Sequence, residues 1–177
     1  MCFLWWASLL IPSLVMSIVG RLLAPVLPLF CDEQGWLPSW LSWFQTPDNS
    51  CDGDAGHKER WHRDGLFWTY ARRVAWLLRN VCYGFDIDVL GKWVSPDDTI
   101  TIVGNPDIGD SSGISGVCYR ELIHAGERTA FQWFYVKHYS IFGLNKCVRI
   151  GFGWKLWNGV LTKDYSAQYW AYFNPFK

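Results

Sequence analysis

The chain has no surplus charge: its 177 residues carry 16 Lys and Arg against 16 Asp and Glu. Without a broad basic field, a nucleic-acid partner is not expected. It also lacks closely spaced cysteines, the six standing at positions 2, 31, 51, 82, 118 and 147. That spacing argues against a structural zinc site and against a compact secreted disulfide framework, leaving buried free thiols. There is no GxSxG, HExxH, Walker loop or GxGxxG; GFGWKL lacks the third glycine. Of the few histidines, His124 and His138 fall on separate predicted strands, and only His124 has acids, Glu121 and Glu127, close in sequence. A His and a Glu on neighbouring strands can act as an acid/base pair. Polar residues alternate to the wet face of a sheet by default, however, so no catalytic centre is read here.

Hydrophobic residues make up half of the chain, which excludes disorder as the dominant state. Aromatic side chains are abundant, with 13 Trp, 11 Phe and 8 Tyr. Such rings suit boundaries with one apolar and one wet side, at membranes or protein interfaces, or the core of a small sheet domain.

Residues 2–20, CFLWWASLLIPSLVMSIVG, contain no charged side chain. As a helix they would span roughly 28 Å, close to a bilayer core. Pro12 predicts a kink that membrane helices tolerate. Arg21 stands where a snorkelling cation marks the interface, and Trp5 and Trp6 are interfacial candidates at the other end. Leu22 to Phe30, with Pro25 and Pro28, is too short to span and reads as a bent interfacial segment. A secretory signal would have a cation before the apolar run and a small-x-small site after it, and neither is present. A buried core helix stays open as an alternative, because Ser8, Ser13 and Ser17 lower the hydrophobicity. The expectation is a transmembrane anchor over residues 1–30, oriented N-out, C-in by the cations near its end.

Trp36, Trp40 and Trp43 recur at helical spacing, which places them on one face of an interfacial helix or on a stripe packed against the body. The next segment, Asp48 to Glu59, has the spacing of a calcium loop. Asp48, Ser50 and Asp52 fill positions one, three and five, with Gly53 at the sharp turn. Asp54 stands at seven and Glu59 at twelve. Ala55 at position eight, the single loop and Pro47 depart from the pattern. The competing reading is a polar turn with Asx-type hydrogen bonds from Asp48 and Asn49.

From Asp64, a plausible N-cap, residues 66–78 have helical periodicity, with Arg72, Arg73 and Arg79 towards the C-terminal end. Together with Lys58, Arg60 and Arg63 they form a cationic, Trp-bearing region suited to anionic lipid. The arginines are alternatively paired with the acidic loop or with Asp86 and Asp88. Beyond Gly91 the pattern changes to strands at 99–103, 114–124, 129–139, 146–157 and 167–173, separated by turn clusters. The spacing predicts an α+β protein: an anchor over 1–30, a Trp-rich interfacial segment with short amphipathic helices over 31–92, and an antiparallel meander of about five strands over 93–177.

WFQTPDNSCDGDAG, RVAWLLRNVCYGF, GWKLWNG and YFNPF together resemble a family of proteins of unassigned function encoded by tailed bacteriophages and their prophages. Its members share the apolar N-terminus, a Trp-Phe-x-Thr-x-Asp-Asn acidic motif and an Arg-Asn-x-x-Tyr-Gly-Phe block. Where relatives have Pro after Arg-Asn, this chain has Val81. The resemblance implies a host membrane or a virion as the setting. The expectation is therefore a membrane-associated accessory protein of the host inner membrane, with the lipid bilayer and an envelope or phage protein as partners. The alternative is a virion component whose apolar N-terminus packs against other subunits.

Overall fold

A computed structural model describes residues 2–157, 161 and 163–177; Asn158 and Gly159 of the GWKLWNG motif lie outside them. The chain divides into two units, Met1–Leu10 with Gly91–Lys177, and Ile11–Leu90.

The first unit contains helix α1 (Cys2–Ser8) and strands β1 (Lys92–Val94), β2 (Thr99–Gly104), β3 (Gly116–His124), β4 (Glu127–Ile141), β5 (Leu144–Trp154), β6 (Tyr165–Ala167) and β7 (Tyr169–Asn174). Five of the strands form an antiparallel sheet in the order β2-β3-β4-β5-β7, the meander expected from the turn clusters. β1 and β6 form a separate antiparallel pair that the sequence reading did not anticipate.

Because side chains alternate across a pleated strand, the register Cys118–Phe134–Gly151–Tyr172 defines one face of the sheet. Here Cys118, Phe134, Val136, Cys147 and Trp170 bury themselves with Ile108 from the β2–β3 connection. A side chain at Gly151 would come within 2.4 Å of the Trp170 ring, so glycine there provides room for the indole. Phe131, Trp133 and Phe152 occupy the opposite face, where α1 lies. The Phe3 ring centroid is 4.3 Å from that of Phe131, and the Trp6 ring meets Phe131, Phe152 and Tyr169.

The second unit is helical, with α2 (Leu10–Leu23), α3 (Ala55–Arg60), α4 (Leu66–Arg79), α5 (Tyr83–Asp88) and 3-10 turns at Leu27–Phe30 and Ser39–Phe44. Pro12 falls in the first turn of α2, where its missing N–H costs little; the helical run breaks just upstream, at Leu9. The core joins Ala24, Leu27, Leu37, Leu41, Cys51 and Leu77. α5 lies on the second 3-10 turn through Gly84, whose N–H donates to the Gln45 carbonyl at 2.9 Å.

Two local expectations are corrected. α4 is preceded by Gly65 at φ +109° with no side-chain cap, so Asp64 does not cap it. The Trp segment is a short 3-10 helix after Pro38, with Trp36 outside it, because proline fixes its start.

Candidate functional site

Cys2–Leu23 is long and apolar enough to cross a membrane by length and composition, with a mean hydropathy of 2.0 over its best window. Its sides differ. Within the second unit, α2 packs through small and polar positions. Ser13 Oγ donates to Asp86 Oδ1 at 3.3 Å, and the Cys82 thiol donates to the Met16 carbonyl at 3.0 Å. Gly20 is buried so tightly that a Cβ would come within 2.4 Å of Cys82 Sγ. Ile11, Leu14, Val15, Ile18 and Leu22 are all exposed, Ile11 and Leu22 by more than 70%. At 100° per residue they occupy a stripe roughly 100° wide, opposite Ser13, Met16 and Gly20. The bare surface continues through Val26 and Leu29 after the helix.

The predicted interface residues separate. Trp5 and Trp40 are well exposed, Trp36 and Trp43 less so. Arg21 is exposed and folds back, its Nη1 donating to the Ser17 carbonyl at 3.1 Å. Trp6 instead faces the sheet of the first unit. Its indole N–H donates to the Trp170 carbonyl at 3.3 Å, and its own carbonyl accepts from the Tyr169 hydroxyl at 3.2 Å. α1 and the sheet there border an apolar cleft of about 310 Å³, lined by Phe3, Trp6, Ala7, Phe131, Trp133 and Phe152.

The acidic loop is used internally. Asp52 accepts from Arg72 at 2.9 Å and from Arg73 at 3.0 Å, so the arginines pair locally. Burial alone would raise the Asp52 carboxyl, but the hydrogen bonds and charges of Arg73 and Arg72 more than offset this and hold it below the usual carboxylate range. Asp54 caps α3 by accepting from the His57 N–H at 2.7 Å. Ser50 Oγ faces the Asp52 N–H, whereas Asp48 and Glu59 are exposed. Gly53 has φ +79° and makes the sharp turn expected of it, with the Trp76 and His57 rings against it. Among the described residues, no three His, Cys, Asp or Glu side chains converge into a group that would hold a metal ion.

His57 is buried, and burial pushes its imidazole below the ordinary value. Its Nε2 lies 3.0 Å from the Arg72 carbonyl; a carbonyl only accepts, so that nitrogen carries the proton. Between the end of α3 and the start of α4, Arg60, Trp61, His62, Arg63 and Trp68 line a shallow cavity of about 280 Å³, with the Arg63 guanidinium 4.5 Å from the Trp68 ring centroid. In the first unit His124 Nδ1 lies 2.6 Å from Asp98 Oδ1, while Glu121 is held by Tyr119 and Arg128. His138 Nε2 meets the Gly109 carbonyl. Neither histidine contacts Glu121 or Glu127 through these bonds. The docking of α2 on α5 was signalled in part by Ser13, one of the serines that left a packed helix open as an alternative, and by Gly20 at the end of the apolar run; the partner helix was not legible.

These features define an α+β protein with a one-sided apolar N-terminal helix. The chain belongs to a family of unknown function, DUF7338, whose model matches residues 1–177. No curated protein and no solved structure matches it.

Proposed function

We propose that the protein is a membrane-associated accessory protein, held to a bilayer by its apolar N-terminal region and acting there through binding rather than catalysis. The observation that supports this best is the bare aliphatic stripe of α2, in a stretch where almost no residue is buried. Exposing that much contiguous apolar surface to water is costly unless something covers it. The resemblance to phage-encoded proteins supports a host membrane as the setting, with an envelope or phage protein as the further partner. The Arg60–Arg63–Trp68 cavity suits the headgroups of anionic lipid. Fractionation tests the reading. Expressed in bacteria, the full chain is expected in the membrane pellet, released by detergent but not by salt. Recovery in the soluble fraction would overturn it, and copurification with phage particles would favour the virion alternative.

A further inference from the structure

Resting on that membrane reading, we infer that α2 lies in the plane of a single leaflet, its bare stripe in the acyl region, and that the chain does not cross the bilayer. The deciding contact sits halfway along the apolar run. Ser13 is at the middle of Cys2–Leu23, and its hydroxyl meets the carboxylate of Asp86. A helix crossing the bilayer with this docking intact would carry Asp86, and α5 with it, to the centre of the hydrocarbon. A charged side chain there is expensive, and α5 is too short to satisfy its backbone in lipid except against protein. A helix lying in the interface needs neither. It turns Ile11, Leu14, Val15, Ile18 and Leu22 into the leaflet and keeps Ser13, Met16 and Gly20 on protein.

The surroundings fit lipid better than a second copy of the chain. The stripe is wider than the narrow seam of a two-helix coiled coil. Arg21, at its end, turns its guanidinium onto the carbonyl of Ser17, which lies off the apolar stripe, so the charge is held to the side of the aliphatic face. The apolar surface also continues onto α4. The Tyr70 hydroxyl donates to the Pro25 carbonyl just past α2, and one turn earlier on the same face stand Leu66 and Phe67, exposed by 94% and 70%. Beside them are Arg63 and Trp68, a cation and a ring suited to anionic headgroups. Glu59 and Asp64 lie in the same segment, so this flank adds attraction without making the whole surface basic.

The test uses the full chain with an epitope tag at each end, synthesised in the presence of sealed vesicles of phosphatidylcholine and phosphatidylglycerol. Flotation reports binding, and protease added outside reports sidedness. The expected result is flotation with both tags fully cleaved. Ile18→Glu, its fold checked by circular dichroism, is expected to lose at least tenfold in the floated fraction, whereas Val103→Glu on β2 of the other unit floats like the original. Protection of one tag would show a spanning helix and overturn the in-plane geometry while leaving membrane association intact. Failure to float would remove both readings, and a stable dimer in its place would assign the stripe to a second copy. Unchanged flotation of Ile18→Glu would also overturn the inference.

Discussion

The carboxylate of Asp52 neutralises two guanidinium groups that are themselves largely buried, with 18% and 12% of the Arg72 and Arg73 side chains exposed. Removing one member of such a cluster leaves uncompensated charge in a poorly solvated place. Asp52→Asn is therefore expected to cost about 2–3 kcal/mol, read from urea denaturation. The pH dependence follows from the lowered Asp52 pKa. The contribution is fully present above the unfolded-state value of about 4 and is lost as pH falls through the lower folded value. The original chain should lose stability on acidification below about pH 4, and Asp52→Asn should have a flatter acid limb. An identical limb in both proteins would show that other carboxylates govern it. This ion cluster was legible in part, since pairing of the arginines with the acidic loop was one of the sequence alternatives. Which carboxylate they choose depends on Gly53, whose positive φ turns the loop beneath Trp76.

Among the elements, the strands were the most readable, because Asn105-Pro106-Asp107, Ala125-Gly126-Glu127 and the Gly143 turn punctuate alternating runs. β1 and β6 were not, each being three residues long and separated from its partner by most of the sheet. Nor was α5. Its start requires Cys82 at φ +50°, a conformation that tertiary packing imposes and that no local pattern announces. The same packing makes Gly84 sensitive. A Cβ there would lie 2.4 Å from the Ser42 carbonyl oxygen and 2.9 Å from that of Gln45, both backbone atoms that cannot rotate away. Gly84→Ala is expected to destabilise the unit by about 1–3 kcal/mol, whereas a Cβ at Gly56 in α3 meets only ordinary contacts at 3.7 Å and beyond, so Gly56→Ala is expected to be neutral or slightly stabilising. Thermal melts of the two variants check the contrast; equal losses would mean that α5 can shift. For the cationic flank, replacing both Arg60 and Arg63 by Gln should weaken binding to phosphatidylglycerol vesicles several-fold at low salt and leave binding to neutral vesicles unchanged. Co-sedimentation measures both, and equal loss on the two lipids would assign these arginines to folding.

For the whole molecule, the first thirty residues are structural in both units. Ala24 and Leu27 belong to the core of one, and Phe3 and Trp6 cover a sheet face of the other. A form lacking residues 1–30 is thus expected to lose cooperative unfolding and to aggregate, measured by near-ultraviolet circular dichroism and light scattering. A soluble, sharply melting truncation would show a detachable segment instead. The bonds between Trp6 and the last strand also bear on how the protein is made. They join residues 163 and 164 positions apart. α1 is translated well before β7, so their pairing must wait until the 163 residues that separate them have been made. At ordinary translation speeds that delay is on the order of ten to thirty seconds. Throughout it the greasiest part of the nascent chain has no sheet to rest on, which gives a nearby bilayer or a chaperone the first opportunity to receive it.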